Sequence, residues 1–335
     1  MTAYIFRRVL GMFAVLFCVS VVTFILMHAV PGGPFDGEKS VPPDVKKLIE
    51  AKYNLNKSLV EQYFDYISGI VIPRIQQGKL RSSDKSTYLV AVSFNKESHL
   101  LWMDFGPSYK SKSRSVSDIF REQLPVSAQL GTWALIIALS IGIPLGTIAA
   151  LNRNRMPDYL AMSVAIFGVS VPAIVLGPIM VWVFAVNWKV LPVSGWGTPA
   201  HVIMPAIALG FASSALIARL TRASLLEVLH EDYVRTARSK GLAERRVIRL
   251  HALKNAMIPV ITVIGPLFAA LVTGTFVAET TFGIPGLGRY FVNSITNRDY
   301  PVIMGTVLLY ASFLVVANLL VDLAYAALDP RIRYT

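Results

Sequence analysis

The amino-acid sequence predicts an all-α integral membrane protein with six transmembrane helices, and composition is the first reason. Of its 335 residues, 54% are hydrophobic and only 16% are charged, whereas soluble domains carry roughly 25% charged residues. A net charge of +12 can indicate nucleic-acid binding. Here the basic residues lie mostly between apolar runs, so membrane topology explains them better and no nucleic acid partner is expected. The single cysteine, Cys18, excludes an internal disulfide and a cysteine metal cluster.

The second reason is a set of six runs without Asp, Glu, Lys or Arg. A hydrocarbon core about 30 Å thick needs about 20 helical residues, within a range of about 17 to 25, and all six runs qualify. They cover residues 9–30, 126–151, 159–188, 202–218, 256–278 and 301–321. Arg7 and Arg8 precede the first run as in a signal peptide. That run exceeds the usual apolar length of about 7 to 15 residues and lacks an Ala-x-Ala site, so we expect a retained helix.

The distribution of Lys and Arg predicts the orientation of these helices. With six spans, one side collects the N-terminus, the loop 152–158, the segment 219–254 and the tail with Arg331 and Arg333. Short loops rich in Lys and Arg stay in the cytoplasm. Both termini are therefore expected inside, and the long segment 31–121 outside.

A polar, basic segment at 232–255 interrupts the apolar pattern. It reads as a short helix with Asp232 as N-cap, a stop at Gly241, and a second helix from about Glu244. The apolar side of the second helix is expected to hold Val247, Ile248, Leu250 and Leu253. The basic charge alone fits a topology anchor, but an anchor needs no helix–turn–helix. Such a unit can insert into a groove on a cytoplasmic partner.

These residues carry a resemblance to a known family. The stretches RTARSKG and HALKN resemble the cytoplasmic coupling loop of binding-protein-dependent ABC importer permeases, with Gly241 on the family's glycine. Arg235, Thr236, His251 and Lys254 depart from the general pattern and are similar to its peptide-transport variant. Stretches along nearly the whole chain resemble the B-type membrane subunit of oligopeptide and dipeptide ABC importers, including RRVLGMFAVLFCVSVVTFILMHAVPGGPF, DFGPS, FVAETTFGIPGLGRYFVNSITNRDYP and YAALDPRIRY.

The resemblance implies the type I ABC importer permease fold in a bacterial inner (plasma) membrane, with spans in a core at 122–335 and a coupling loop at 219–255. It also implies partners: a second homologous permease subunit in a heterodimer, two cytoplasmic ATPase subunits, an extracytoplasmic peptide-binding protein and membrane lipid. The sequence has no G-x-x-x-x-G-K-[ST] phosphate loop. We therefore expect a transport subunit rather than an enzyme, with no catalytic residue, cofactor or resident metal.

Two sets of candidate site residues follow. The resemblance implies that one set couples the chain to an ATPase: Asp232, Arg235, Thr236, Ala237, Gly241, Leu242, His251, Leu253 and Asn255. Ionisable residues inside spans are functional candidates by default. The second set, for the transport pathway or an outer gate, consists of His28, Glu279 and Phe282. Asp322 lies near the inner end of the last span.

Glycines and prolines in the spans are interpreted first as packing features. Gly142 and Gly146 form a G-x-x-x-G surface suited to close helix approach. The GIPGLG stretch at 283–288 predicts a tight turn at the outer mouth. Four residues are expected to kink or loosen the third span: Gly168, Pro172, Gly177 and Pro178.

The segment 31–121 is too long for a simple connector. Its apolar spacing predicts two or three short helices on the outer surface, and the β-prone stretch 86–95 predicts a hairpin strand. Residues 72–101 look like an insertion relative to the family. They are either a surface decoration or a contact adapted to the binding protein.

Three alternative functions stay open at this point. The cargo could be nickel or another small solute of the same branch. An ion-gradient transporter or channel acting alone would need no ATPase. A structural scaffold is also compatible with six spans, but it leaves the coupling pattern unexplained.

Overall fold

The computed structural model describes residues 2–35, 43–79, 86–95, 97–111 and 114–328. The expected basic tail with Arg331 and Arg333, and parts of the expected insertion, lie outside these residues.

Five helices of the described chain are long and apolar enough to cross a membrane. They are Phe6–Ala29 within α1 (Thr2–Ala29), α4 (Val116–Leu151), α7 (Pro199–Val228), Ile258–Thr281, and Tyr300–Tyr325 within α14 (Tyr300–Leu328). The fourth of these comprises α11 (Ile258–Val272) and α12 (Phe276–Thr281). A sixth crossing is formed if the bent pair Met156–Ser170 and Ala173–Asn187 crosses once.

The third predicted span is therefore two helices rather than one. Helix α5 (Met156–Ser170) meets α6 (Ala173–Met180), which continues as the π-helix π1 (Val181–Asn187), at 97°. Pro172 lies at the break, and a proline disfavours helical backbone at the residue before it. The predicted kink is confirmed, and it is sharper than a bend in a continuous helix. Gly168 serves packing, because a Cβ there would lie 2.7 Å from the carbonyl oxygen of Phe211.

The fourth span was predicted too short. Helix α7 runs to Val228, beyond the charged residues Arg219 and Arg222 at which the apolar run ends. The ionic partner of Arg222, described below, allows the helix to carry a charge close to the apolar region.

The G-x-x-x-G surface packs as predicted, against α7. A Cβ at Gly142 would lie 2.7 Å from the carbonyl oxygen of Ser214, and one at Gly146 would lie 2.5 Å from that of Ala218. Both distances are too short for a real side chain, so the two helix backbones meet directly.

The chain divides into two compact units. One comprises Met1–Leu10, Val126–Gly286 and Ser312–Thr335, and its largest apolar core lies among α4, α6, α7 and α11–α12. The other comprises Gly11–Pro125 and Leu287–Ala311, which includes α13 (Leu287–Asn297). Its core is centred on Phe105, Ile119 and Phe120.

The segment before α4 contains two helices and a small sheet. Helices α2 (Pro43–Lys52) and α3 (Leu59–Val71) agree with the expected short helices. Strand β2 (Tyr88–Asn95) confirms the predicted hairpin strand and pairs antiparallel with β3 (Ser98–Asp104). Strand β1 (Arg74–Gln77), which the sequence did not indicate, pairs with the other edge of β3, giving the order β1-β3-β2.

The tight turn predicted in the GIPGLG stretch is confirmed by the backbone. Gly283 has φ +63°, a conformation that glycine adopts readily. The backbone N–H of Ile284 donates to the carbonyl oxygen of Glu279 over 2.8 Å, which folds the chain back after α12.

Candidate functional site

The polar segment 232–255 folds as two helical parts separated by a glycine turn. The first part is α8 (Asp232–Ser239); the second is α9 (Glu244–Arg246), the π-helix π2 (Val247–Ala252) and α10 (Leu253–Ala256). The N-cap is Glu231 rather than Asp232, which is the first helical residue. The predicted stop is confirmed, because Gly241 has φ +74° directly after the C-cap Lys240.

An apolar face holds this segment on the body of its unit. Val234 is 0% exposed and Ala237 is 6% exposed. They pack in one cluster with Val247 and Ala252 of π2 and with Leu225 of α7. The partly buried side chain of Leu242 packs on the same cluster. Helix α8 has only eight residues, and isolated helices shorter than about 12 to 15 residues are marginal in water, so this packing maintains it.

The π-helix corrects one part of the predicted apolar side. In π2 the hydrogen-bond spacing widens from four to five residues, so Val247 and Ala252, five residues apart, both point into the core. Leu250, which regular α-helical spacing places near the apolar side, is 59% exposed.

The opposite face is charged and exposed. Arg235 and Asp232 lie 3.8 Å apart with largely exposed side chains. Across the glycine turn, Arg238 donates two hydrogen bonds to the Glu244 carboxylate, over 2.7 and 3.1 Å. This bidentate contact lowers the pKa of Glu244 below its usual value and fixes α8 relative to α9.

The second part of the segment is tied to the first and continues into a span. The Asn255 side-chain amide donates to the Tyr233 hydroxyl over 2.7 Å. The backbone N–H of Met257 donates to Leu253 over 3.0 Å, and that of Ile261 donates to Met257 over 2.9 Å. Helical hydrogen bonding therefore passes through the single turn residue between α10 and α11.

The remaining expected coupling residues occupy different environments. The Thr236 hydroxyl donates to the Asp232 carbonyl oxygen over 2.9 Å, within α8. His251 and Leu253 are half-buried. A Cβ at Gly241 would meet no atom within 4 Å, so the turn faces open space in this chain.

An ion pair that sequence reasoning missed lies in the same unit. Arg222 of α7 donates two hydrogen bonds of 2.7 Å to Asp158 at the start of α5, and the backbone N–H of Asn154 adds a third of 2.9 Å. Asp158 is 2% exposed. The available signal was an acid at the start of an apolar run, because a buried carboxylate requires a partner.

The three expected pathway residues are not equally accessible. Glu279 is 0% exposed and accepts a 2.8 Å hydrogen bond from the Ser127 hydroxyl. Phe282 is 3% exposed, within the core of the same unit. Both are packed inside this unit rather than presented on a surface.

His28 belongs to the other unit and is half-buried. Its Nδ1 lies 2.8 Å from the Phe24 carbonyl oxygen, and its ring lies 4.9 Å from that of Tyr300. It lines a cavity of about 250 Å³ together with Tyr66 and Tyr109. Asp322, the third ionisable residue within the spans, forms a 2.9 Å ion pair with Arg8.

Five long apolar helices and a bent helix pair define the class of protein as a multi-pass membrane protein. The fold is that of type I ABC importer permeases. A solved chain of the MetNI methionine ABC transporter in an inward-facing conformation superposes with a TM-score of 0.50 at 18% identity, over 63% of this chain and 96% of that one.

The chain belongs to the family of binding-protein-dependent transport system inner membrane components. The model of that family matches residues 142–334, and the model of its N-terminal region matches residues 1–131. The dipeptide transport system permease protein DppB of Bacillus subtilis is 43% identical over 99% of this chain and 98% of its own length. The oligopeptide transport system permease proteins OppB of Haemophilus influenzae and Escherichia coli K12 are each 40% identical over the full length of both chains.

Family membership places the chain in the inner membrane as a multi-pass transport component. It also implies ATPase subunits and a substrate-binding protein as partners.

Proposed function

We propose that this chain is a permease subunit of an ATP-driven importer that takes up dipeptides or oligopeptides from an extracytoplasmic binding protein. The names of relatives that align over their full length support the cargo. The observation that carries the mechanism is the segment 232–255. Its apolar face is buried in the body of the protein, its charged face is exposed to solvent, and its backbone continues into α11.

The mechanism is alternating access. An ATPase subunit contacts the exposed face of α8 and the glycine turn, and closure of the ATPase pair moves the segment 232–255. Because Arg238 and Glu244 join α8 to α9, and helical hydrogen bonds join α10 to α11, the movement reaches the span without being absorbed in a loose loop. Peptide must bind the two states with different affinities, or ATP hydrolysis could not drive its accumulation.

The coupling roles divide according to exposure. Asp232, Arg235 and Gly241 contact the ATPase; Thr236 stabilises α8; Ala237 and Leu242 hold α8 on the body. His251, Leu253 and Asn255 connect the movement to α11.

Of the pathway candidates, His28 faces a cavity. Glu279 and Phe282 stabilise the turn after α12 at the outer mouth and reach the pathway only if that turn moves.

The partners and topology complete the proposal. The permease pairs with a second, homologous subunit and with two cytoplasmic ATPases, and it has no ATPase site of its own. Both termini are cytoplasmic, and the segment 31–121, with its insertion at 72–101, faces the binding protein.

The test of cargo and energy source is reconstitution of the complete complex in proteoliposomes. Uptake of labelled di- and oligopeptides should require ATP and the binding protein, and uptake of Ni²⁺ should be absent. Accumulation by this chain alone without ATP would refute the proposal, and ATP-driven Ni²⁺ uptake without peptide uptake would refute the cargo.

The role of the glycine turn is tested by Gly241→Arg. The variant should insert into the membrane but lose peptide uptake while ATP turnover continues, because the added side chain disturbs the contact with the ATPase. Gly197→Arg is the matched control, since Gly197 also has a positive φ, +117°, and open space around its Cβ. Normal uptake by Gly241→Arg, or equal loss by Gly197→Arg, would remove the role assigned to the turn.

A further inference from the structure

Helix α3 combines a tightly packed apolar side with an unpaired apolar stripe. Its N-terminus is fixed by a capping box between Ser58 and Glu61. Tyr63 faces the protein and is 9% exposed, whereas Val60, Phe64 and Val71 are 65%, 62% and 61% exposed. These three residues are separated by four and seven positions and therefore share one face of the helix.

The packed side of α3 fixes its depth in the membrane. The Tyr63 hydroxyl lies 2.7 Å from the Ser20 hydroxyl of α1, and the Tyr63 ring stacks edge-on against Phe24 at 5.3 Å. Ser20 lies nine residues before the end of the span Phe6–Ala29, which is about 13 Å along a helix axis. That span is about 36 Å long, so a centred core of about 30 Å extends to within about 3 Å of its end. Tyr63 therefore reaches about 10 Å into the hydrocarbon.

A cleft joins the stripe to the exposed surface of α1. It has a volume of about 410 Å³ and is lined by Val21, Phe24 and Ile25 of α1 and by Leu59 and Val60 of α3. Ile25 is 59% exposed, and most of this span is not buried within the chain. The stripe on α3 is thus continuous with a helix surface that lies at hydrocarbon depth.

The polar side of α3 is suited to the headgroup region. Asp65 pairs with Lys57 at 2.5 Å, and both side chains are more than one-third exposed. An amphipathic helix at a membrane interface buries its apolar face about 5–10 Å into the headgroup and acyl boundary while its charged face remains in water. The contact between Tyr63 and Ser20 agrees with this geometry.

We propose that α3 lies in the membrane interface and that phospholipid acyl chains cover Val60, Phe64 and Val71 and fill the cleft beside α1. The segment 31–121 is then held against one leaflet at its α3, which fixes its height above the membrane. This inference rests on the membrane span and the α1–α3 contact, and it is independent of the cargo.

The test uses nitroxide labels on the complete complex in proteoliposomes, without the binding protein. In a Cys18→Ala background, labels at Val60→Cys and Phe64→Cys should collide with oxygen and be shielded from a water-soluble nickel chelate, because both side chains lie below the headgroups. Asp65→Cys is the control on the polar side of the same helix and should show the reverse accessibility.

Two results would overturn the proposal. Access of the nickel chelate to the Val60 and Phe64 labels would place the stripe in water. Shielding of both labels from oxygen as well as from the chelate would show that protein, rather than lipid, covers the stripe. Neither result bears on peptide uptake, so failure here is distinguishable from failure of the proposed transport function.

Discussion

Shortening the buried side chain of Val234 should loosen α8 without altering its charged face. Val234→Ala removes two methyl groups from a fully buried position, which costs about 0.8 kcal/mol for each buried carbon. A cavity term brings the loss to about 2 kcal/mol. Because α8 has eight residues and depends on the apolar cluster around Val234 and Ala237, most of this loss should appear as local opening.

The measurement is hydrogen exchange over Asp232–Ser239 in the permease subunits without the ATPases, where Arg235 is exposed. A tenfold change in an equilibrium constant corresponds to about 1.4 kcal/mol, so exchange should accelerate about 30-fold. Peptide uptake per ATP hydrolysed should fall, since an opened α8 cannot transmit force.

Arg235→Ala is the control for this prediction. The Arg235 side chain is 68% exposed, and such surface changes are usually within about 0.5 kcal/mol, so exchange should change less than about threefold while ATPase contact weakens. Unchanged exchange in Val234→Ala, or equal acceleration in both variants, would refute the conclusion that packing maintains α8.

Three further predictions concern packing and charge. Gly286→Ala places a Cβ 2.3 Å from the Glu279 carboxyl carbon and should displace that carboxylate. The complex should lose about 1–3 kcal/mol of stability in thermal unfolding. An unchanged midpoint temperature of unfolding would contradict this. Gly146→Val should separate α4 from α7 and cost a similar 1–3 kcal/mol or so, whereas full assembly at normal stability would show that the backbones need not meet. Arg238 lowers the pKa of Glu244, so their contact stabilises the turn above the usual Glu pKa of about 4.3 and is lost as pH falls through the lowered value. Hydrogen exchange at the turn should therefore increase at acid pH, by no more than about 1 kcal/mol because both side chains are exposed. Glu244→Gln should abolish this dependence on pH.

The sequence predicted the spans well because helices surrounded by lipid consist almost entirely of apolar residues. It predicted their ends less well. Helix α7 continues past Arg219 and Arg222 because a helix ends where its backbone hydrogen bonds end, not where apolar residues do. Arg222 pairs with Asp158, 64 positions earlier in the chain. A contact between residues so far apart cannot be predicted from the sequence pattern around either one.

The segment 232–255 shows what local sequence patterns predict and what they do not. Gly241 and the surrounding charges indicated helix, turn and helix, because a positive φ at a glycine is a local property. The exposure of Leu250 could not be predicted in this way. The hydrogen-bond spacing in π2 widens because of how Val247 and Ala252 fit the core. Strand β1 was missed because it is four residues long and gains its partner from β3.

The right-angled junction at Val171 and Pro172 limits what can surround it. Where one helix ends and the next begins, the last carbonyl groups and the first N–H groups lack helical partners, and lipid tails offer no replacement. Pro172 is exposed in the isolated chain. Within the hydrocarbon of a membrane, a corner of this kind must border either another polypeptide or a water-filled passage.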